Sequence, residues 1–329
     1  MIRFGVIGTN WITDAFIQAA SLNKDFVLNA VYSRTEERAR SFAKKYNVEN
    51  VFTDLNEMAR SSAIDAVYIA SPNSLHCQQS ILFLNNKKHV LCEKPLASNS
   101  REVMQMIKAS IDNGVLLMEA LKTTFLPNFS AIKDNLHKIG RIRKVISIYC
   151  QYSSRYDAYK QGNLPNIFNP AFSTGSLMDL GVYCVYPVIS LFGQPKEVAA
   201  SCTMLESGVD GQGTVFLKYD EMEAVIIHSK MTDSAICSEI QGEKGSIVVD
   251  KISVPQQVKI HYRNGDIVDI SQPQMQEEMY YEICEFINLI KKGKVESDIN
   301  SHNLSLSVMK VLDEARRQMG VVFPADERE

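Results

Sequence analysis

The sequence has little that would indicate a membrane span, a metal site or a nucleic-acid partner. No stretch approaches the run of about 18 apolar residues that a membrane span requires. The formal net charge of -3 gives no electrostatic basis for binding nucleic acid or an anionic membrane surface. The six histidines and seven cysteines are dispersed, with no Cys-x-x-Cys pair and no metal-ligand spacing. We therefore expect no metal site and neither a nucleic-acid nor a membrane partner.

The cysteines and the first residues of the chain also bear on its compartment. The scattered cysteines, several of them in apolar runs, are typical of small core residues in a reducing compartment. The chain begins with a strand-like run and lacks the apolar region and cleavage site of a signal peptide. We expect a cytoplasmic protein.

The length and composition indicate a globular protein with two domains. A chain of 329 residues exceeds what one hydrophobic core usually fills, and 45% hydrophobic with 22% charged residues is an ordinary globular composition.

The first part of the chain alternates strand-like with helical patterns. The apolar, strand-like runs are residues 2–7, 26–32, 51–53, 66–70, 89–92 and 115–118. This alternation predicts a doubly wound parallel sheet, in which ligands bind outside the carboxyl ends of the strands. We place this domain at residues 1–122.

The turn after the first strand resembles a weakened dinucleotide fingerprint. The motif Gly-x-Gly-x-x-Gly retains only its first glycine, although Asn10 tolerates the left-handed conformation that the second glycine supplies and Thr13 is small. We expect a dinucleotide to bind along this turn, whose residues are Gly8, Thr9, Asn10, Trp11 and Ile12. The alternative is an ordinary strand-to-helix turn.

The end of the second strand favours NADP(H). An NAD(H) site places Asp or Glu there to bind the ribose 2'-hydroxyl, whereas this chain has Ser33 and Arg34, which suit a 2'-phosphate. We therefore expect NADP(H), with NAD(H) as the second choice. The alternative is that Arg34 is a solvated residue near Glu36 and Glu37.

Polar or special residues follow the later strands on the edge where a dinucleotide would lie: Ser71, Pro72, Asn73, Glu93, Lys94 and Glu119. All of these except Glu119 are candidate cofactor contacts. Lys94 lies between Glu93 and Pro95, where an apolar run ends at an acid, a base and a proline. An ammonium at a strand end faces the ligand crevice, so we place Lys94 at the centre of the active site. The alternative is that Glu93 and Lys94 are a solvated charge pair.

The second half changes to period-two patterns. Strand-like runs at residues 144–152, 197–204, 213–219, 224–231, 236–241 and 258–262 predict a mostly antiparallel sheet, and residues 275–292 and 301–319 predict two closing helices. The predicted fold class is therefore α/β, with a parallel Rossmann domain followed by an α+β domain with an open sheet. We place the second domain at residues 123–329, with its last helix packing back on the first domain.

A buried helix in the second half carries one polar stripe. Residues 173–186 are apolar nearly all round, except that Ser176, Asp179 and Tyr183 follow at spacings of three and four. A buried acid needs a partner, so Asp179 either belongs to a site or forms a structural hydrogen bond with Tyr183. The loop at 153–169 is polar and aromatic, and Tyr156 and Asn166 are candidate substrate contacts together with Glu119.

With these motifs, the chain resembles the glucose-fructose oxidoreductase, inositol dehydrogenase and rhizopine-catabolism (Gfo/Idh/MocA) family over residues 2 to about 319. The segments that carry the resemblance are Gly5-Val6-Ile7-Gly8-Thr9, Val31-Tyr32-Ser33-Arg34, residues 66–76 ending in His76, residues 88–97 around Glu93-Lys94-Pro95, Met118-Glu119-Ala120, and residues 175–183.

The resemblance implies a Rossmann domain, a second open-faced α/β domain, and pyridine-nucleotide oxidoreduction of sugars, polyols or related carbonyls. The family's catalytic lysine matches Lys94, its Asp-x-x-x-His/Tyr pair matches Asp179 and Tyr183, and its cofactor contacts extend to His76. The chain departs from the dihydrodiol dehydrogenase branch at Lys122 and Thr124, and from inositol dehydrogenases by having Tyr at 183, so no single branch assigns the substrate.

Two functions follow. The first is an NADP-dependent oxidoreductase in which Tyr183 is the general acid or base, Lys94 lowers the pKa of its phenol and orients the substrate oxygen, and Asp179 holds Lys94 or a substrate hydroxyl. The second is a dinucleotide-binding sensor without turnover, which would require a decayed catalytic set. We prefer the enzyme.

The open sheet also predicts an assembly. Its uncovered face should carry apolar residues drawn from Val198, Val215, Phe216, Val225, Ile227 and Ile240. The resemblance implies that this face packs on a second copy, so we expect a homodimer, or a tetramer of such dimers, joined through the second half.

Overall fold

Six parallel strands form the first sheet in the computed structural model, which describes residues 1–327. Their order is β3-β2-β1-β4-β5-β6, the arrangement of a doubly wound dinucleotide-binding fold. The strands are β1 (Ile2–Ile7), β2 (Phe26–Tyr32), β3 (Asn50–Phe52), β4 (Ala66–Ile69), β5 (His89–Glu93) and β6 (Leu117–Ala120). The helices between them are α1 (Trp11–Ala20), α2 (Glu36–Lys45), α3 (Leu55–Arg60), α4 (Asn73–Asn85) and α5 (Ser100–Asn113).

The central strands of this sheet are buried on both faces, because helices cover both sides. Every residue of β4 is buried, and β5 is buried from Val90 to Glu93. Parallel strands of this kind are continuous apolar runs, which explains why these strands could be predicted from the sequence.

Eight strands form the second sheet, in the order β14-β13-β12-β11-β7-β10-β9-β8. All neighbours are antiparallel except β7 and β10, so the prediction of a mostly antiparallel sheet is confirmed. In chain order the elements are α6 (Pro127–Asn135), β7 (Ile142–Cys150), α7 (Tyr156–Lys160), α8 (Val182–Phe192), β8 (Glu197–Met204), β9 (Asp210–Lys218), β10 (Glu223–Ser229), β11 (Ser238–Gly242), β12 (Gly245–Val249), β13 (Val258–Tyr262), β14 (Ile267–Asp269), α9 (Tyr280–Lys291) and α10 (His302–Met319).

The chain divides into two compact units. The first contains Met1–Lys122 and Met275–Ser305, and the second contains Thr123–Gln274 and Leu306–Glu329. In the first unit α9 packs on α1, and Phe286 lies 5.9 Å from Phe4 between ring centroids.

The two faces of the second sheet differ in burial. Val215 and Ile240 are buried, and Val198 pairs with the buried Leu217, so these three lie on the covered face and their assignment to the open face was wrong. Phe216 and Val225 are cross-strand partners on the opposite face and remain half-exposed, as do Ile146 and Ile227. The period of two in each strand places alternate residues on opposite faces.

One stretch, Pro170–Phe192, is long and apolar enough to cross a membrane by length and composition, with a mean hydropathy of 1.4. The expectation that no stretch reaches this level was therefore wrong, since its few polar residues are outweighed over the window. Within the protein 72% of that window is buried, as in the core helix of a globular protein.

Candidate active site

The turn between β1 and α1 lies against the end of β4. Gly8 has a φ of +109°, and a Cβ at this position would lie 2.5 Å from the carbonyl oxygen of Ala70. Only glycine fits such an approach, because any side chain would collide with the backbone. The first glycine of the fingerprint is therefore required by the fold itself.

Asn10 has a different role from the one expected. Its φ of −111° is extended, not left-handed, so the idea that it replaces the second glycine in conformation was wrong. Its side-chain oxygen instead caps α1 by accepting hydrogen bonds from the amides of Ile12 (3.2 Å) and Thr13 (3.3 Å). Its amide group donates to Ala70 O at 3.2 Å, which ties the turn to β4.

The rest of this turn presents exposed groups at the N-terminus of α1. Trp11, the single tryptophan of the chain, is 76% exposed. Thr9 and Ile12 are half-exposed. The positive end of a helix next to a glycine turn is suited to bind the phosphates of a nucleotide.

An exposed cationic side chain follows the end of β2. The amide of Ser33 donates to Phe52 O at 3.2 Å, which fixes the strand end against β3. Arg34 follows and is exposed, while Glu36 is paired with Arg40 within α2. An exposed guanidinium where an NAD(H) site has a carboxylate fits the additional phosphate of NADP(H).

The loop after β4 is held in place by buried side chains. Ser71 donates to Gln79 at 2.7 Å, and Pro72 and Asn73 begin α4. His76 has no exposed surface, and its ring nitrogens lie 3.0 Å from Pro95 O and 2.9 Å from Ser71 O. A side chain that is fully buried cannot contact a cofactor, so His76 positions the two loops and its assignment as a cofactor contact is corrected. Burial lowers the pKa of this imidazole.

The proposed catalytic lysine, Lys94, directly follows β5 and its last residue, the buried Glu93. Glu93 is only 8% exposed; it accepts a hydrogen bond from the hydroxyl of Tyr68 at 2.5 Å and one from the amide of Lys94 at 3.3 Å. Burial raises the pKa of Glu93, while the charge of Lys94 opposes that effect. Glu93 is therefore not part of a solvated charge pair. The Lys94–Pro95 peptide bond is cis.

Glu119 lies too deep for the substrate contact that was expected. It is 3% exposed, and its Oε1 accepts a hydrogen bond from the amide of Leu96 at 2.9 Å, just beyond Lys94 and Pro95. Burial raises its pKa to about 7, while its hydrogen bond with Ser305 opposes the effect. Glu119 thus supports the loop that follows Lys94.

A further acid, Glu282 on α9, is buried in the same unit and was not singled out from the sequence. It is 0% exposed, and neither carboxyl oxygen has a hydrogen-bond partner among the described residues. Burial, reinforced by the charge of Glu93, raises its pKa well above the usual value. Burial therefore favours the neutral form of Glu282.

This burial predicts a pH-dependent stability. The pKa of Glu282 is higher in the folded protein than in the unfolded chain. Protonated Glu282 therefore contributes fully to the free energy of unfolding below the unfolded pKa, and this contribution is lost as pH rises towards the folded pKa. We expect Glu282→Gln to leave the free energy of unfolding at pH 4 nearly unchanged and to raise it at pH 8 by about 1 to 3 kcal/mol. Urea unfolding of both proteins at the two pH values is the measurement.

The exposed Glu57 on α3 provides the matched control. Glu57→Gln should change the free energy of unfolding equally at both pH values. An equal change for Glu282→Gln at pH 4 and pH 8 would contradict a raised pKa of Glu282.

In the second unit, the helix with the polar stripe begins as a π-helical turn, Leu177–Gly181, and continues as α8. Asp179 lies in the π turn, and Tyr183 follows it in α8 with its ring 5.9 Å from that of Tyr149. π turns of this kind occur frequently at functional sites. Asp179 forms an ion pair with Lys230, a residue that the sequence analysis missed.

Ser176 belongs to a buried polar cluster at the start of this turn. Its hydroxyl lies 2.9 Å from Nδ1 of His228, which is 3.7 Å from the carboxylate of Asp210. Burial lowers the pKa of His228 to about 3 and raises that of Asp210 to about 7. Ser176 and Asp210 both approach Nδ1 of His228, whereas a nucleophilic triad places the nucleophile and the acid on different ring nitrogens. The cluster therefore has a structural role.

The loop before the π turn carries an aromatic cluster. Tyr156 packs on Tyr159 and Phe168 with ring centroids 6.2 Å and 5.9 Å away, and it is half-exposed. Asn166 is exposed, and its backbone oxygen accepts a hydrogen bond from Thr174 Oγ1 at 3.0 Å. This bond joins the loop to the segment that leads into Asp179.

The structure thus groups the proposed residues by unit. The carboxyl ends of β1, β2, β4 and β5 bring the turn at 8–12, Ser33, Arg34, the loop at 71–73 and Lys94 to one edge of the first sheet. In the second unit Asp179 and Lys230 form an ion pair, and Tyr183 follows Asp179 by four residues along the helix. Within residues 1–327, no group of three or more His, Cys, Asp or Glu side chains is placed to hold a metal ion.

Two family models match the chain. Residues 2–121 match the GFO/IDH/MocA model described as an oxidoreductase family with an NAD-binding Rossmann fold, and residues 135–248 match the GFO/IDH/MocA C-terminal domain.

Similar proteins cover nearly the whole chain. The scyllo-inositol 2-dehydrogenase (NADP(+)) IolU of Bacillus subtilis is 56% identical over 99% of this chain and 100% of its own length. A trans-1,2-dihydrobenzene-1,2-diol dehydrogenase of Danio rerio is 31% identical over 99% of both chains. The crystal structure of KijD10, a 3-ketoreductase from Actinomadura kijaniata in complex with NADP and TDP-benzene, is 22% identical with a TM-score of 0.86, covering 98% of this chain and 99% of that one. This last likeness concerns the fold.

Proposed function

The chain belongs to the GFO/IDH/MocA family of oxidoreductases, and we propose that it transfers a hydride between NADP(H) and a secondary alcohol or carbonyl carbon of a sugar, polyol or diol. The observation that carries the proposal is that Lys94 lies at the carboxyl end of β5, directly after the buried Glu93. The exposed Arg34 follows the carboxyl end of β2 in the same sheet. In this proposal the first unit binds the cofactor, and the second binds the substrate and forms the assembly.

The residues of the first unit fit the cofactor. Gly8 keeps the β1–α1 turn free of side-chain atoms, the N-terminus of α1 faces outwards with Trp11, and Arg34 offers a charge for the 2'-phosphate. Ser71, Pro72 and Asn73 contribute the neighbouring loop. When bound, the reduced nicotinamide supplies the hydride.

The side chains of this protein then handle the substrate oxygen and its proton. In the reductive direction Lys94 orients and polarises the carbonyl oxygen, and Tyr183 donates a proton to that oxygen as it becomes a hydroxyl. In the oxidative direction Tyr183 accepts the same proton. Asp179 accepts a hydrogen bond from a second substrate hydroxyl, and Tyr156 and Asn166 contact the remainder of the substrate.

The direct test is a screen of NADPH consumption and NADP reduction over sugars, inositols, other polyols, diols and dicarbonyls. IolU acts on scyllo-inositol and the Danio relative on a trans-dihydrodiol, so these two compounds are included first. Turnover of at least one CH-OH or carbonyl substrate supports the enzyme. Tight NADPH binding without turnover across the panel would favour a dinucleotide-binding sensor instead.

Cofactor choice provides the second test. We expect Arg34→Ala to weaken NADPH binding by about 1.5 to 3 kcal/mol, because one charge-assisted contact is lost, and to leave NADH binding nearly unchanged. Trp11, as the only tryptophan, reports binding through its fluorescence. Arg38→Ala, also exposed in this region, is the control and should alter neither affinity. Equal losses for both cofactors would refute the 2'-phosphate contact.

We also propose that the open face of the second sheet joins two copies in a homodimer, or in a tetramer of such dimers. Half-exposed apolar residues on adjacent strands, Ile146, Val225 and Phe216, form a continuous row that water should not cover. Two-fold pairing is the commonest way to bury such a face.

Light scattering tests the assembly. We expect the unaltered protein to have at least twice the 37.0 kDa mass of one chain, and Val225→Lys to reduce the mass because it buries an unpaired charge. Ile267→Lys on the exposed edge strand β14 is the control. A dimer that survives Val225→Lys would place the interface elsewhere.

A further inference from the structure

Lys230 directly follows β10 and is almost completely buried, with 5% of its surface exposed. Its backbone amide donates to Gly211 O at 2.9 Å, and its backbone oxygen accepts a hydrogen bond from Ser153 at 2.9 Å. The main chain is therefore fixed from two sides. Its ammonium forms an ion pair with Asp179, whose side chain is 28% exposed.

A second carboxyl group, Asp210, lies within the electrostatic reach of Lys230. Asp210 is fully buried, and its Oδ2 accepts a hydrogen bond from the amide of Leu177 at 2.6 Å. Leu177 is the first residue of the π turn that carries Asp179. Asp210 thus fixes the beginning of the turn, and Lys230 fixes the carboxylate that the turn presents. The charges of Lys230 and Arg316 both favour the ionised form of Asp210.

Stability alone gives a weak reason for this arrangement. A buried ion pair costs the desolvation of both charges, and well-packed apolar replacements are often equally or more stable. In addition, the side chain of Asp179 remains partly exposed although its partner Lys230 is buried. A buried ammonium paired with a partly exposed carboxylate is suited to fix the orientation in which that carboxylate meets a ligand.

We propose that Lys230 is a positioning residue of the reaction: its ammonium keeps the Asp179 carboxylate ionised and oriented to accept a hydrogen bond from a neutral hydroxyl of the substrate. The inference rests on the proposed function, in which Asp179 binds a substrate hydroxyl. Because the charge of Lys230 is already offset by Asp179, the subsite offers no uncompensated cation to a phosphate or a carboxylate, and a neutral hydroxyl is the ligand that fits it.

The test compares Lys230→Met, Lys230→Arg, Asp179→Asn and the Met/Asn double variant as full-length enzymes with NADP(H) and a substrate found in the screen. We expect Lys230→Met to lower kcat/KM at least tenfold at pH 7 and to move the acidic limb of its pH profile upwards by about 1 to 3 pH units, since the carboxylate loses its cation. Lys230→Arg should restore the profile. The double variant should be no worse than Asp179→Asn, because both act through one carboxylate.

Lys196→Met, which breaks the exposed pair of Lys196 with Asp220, is the matched control and should leave the pH profile in place. A purely structural Lys230 would lower the melting temperature without moving the profile. An unmoved profile in a folded Lys230→Met, or additive losses in the double variant, would overturn the proposal.

A titration without substrate separates this inference from the proposed function. In protein labelled with carboxyl-13C aspartate, the Asp179 signal is assigned by its loss in Asp179→Asn, and its titration should move to higher pH in Lys230→Met and return in Lys230→Arg. If the screen finds no turnover, the proposed function fails, and this titration still decides whether Lys230 controls Asp179. Identical titration in all three proteins would refute that control.

Discussion

Lys94→Ala is expected to lower kcat/KM by about 10²- to 10⁴-fold on whichever substrate the screen identifies, which is the range that a positioned proton-handling or polarising group contributes. Lys94 directly follows β5, and its backbone amide donates a hydrogen bond to the buried carboxyl group of Glu93 at 3.3 Å. The substitution should therefore remove the ammonium without disturbing the strand. Initial rates of NADPH consumption over a range of substrate concentrations give the value.

Lys108→Ala is the control for this loss. Lys108 lies on α5 and pairs with Asp112 one turn away, and both side chains are largely exposed. Removing it should change kcat/KM by less than about twofold, because exposed pairs of this kind contribute little. An unchanged kcat/KM in Lys94→Ala would show that the centre of the site lies elsewhere.

The parallel half of the fold could be read from the sequence because its signal is local. A strand buried on both faces is a continuous apolar run, and β1 and β2 have the bounds that their runs predicted. The turn at Asn10 was misjudged in detail. The fingerprint describes glycine conformations, whereas Asn10 stabilises the same turn through side-chain hydrogen bonds with Ile12, Thr13 and Ala70.

The antiparallel half was predicted less completely. Strands β12 and β14 were missed, and β12 begins at Gly245, a residue that is unusual inside a strand. A Cβ at Gly245 would lie 2.5 Å from His261 O, so this glycine is needed where two strands approach closely. Glycine signals a turn and a close approach equally well, and only the pairing with β13 distinguishes them.

Two charged residues of the site region had no usable signal in the sequence. Lys230 follows a strand and precedes polar residues, which is typical of an exposed position, and its burial depends on Asp179, 51 residues away in the chain. Glu282 lies in an amphipathic helix, where an acid is ordinarily solvated. Long-range packing determines the burial of both residues. The opposite error, in which a buried polar residue was assigned to the site, affected His76 in α4 and Glu119 in β6.

Tyr183→Phe is expected to lower kcat by about 10²- to 10⁴-fold while KM changes by only a few-fold, because the substitution removes the proton that the phenol exchanges and keeps the ring. The ring of Tyr183 packs edge-on against Tyr149 at 5.9 Å, and this contact should hold phenylalanine in the same place. Steady-state kinetics in both directions measure the two constants.

Tyr149→Phe separates the hydroxyl of Tyr183 from its aromatic neighbour. It preserves the edge contact and removes only the hydroxyl that bonds Gln151 at 3.2 Å, so kcat should stay within a few-fold of the unaltered enzyme. If both substitutions reduced kcat equally, the effect would lie in the packing of the ring pair. If Tyr183→Phe retained full kcat, another group would have to supply the proton, and the pairing of Asp179 with Tyr183 as a catalytic set would be wrong.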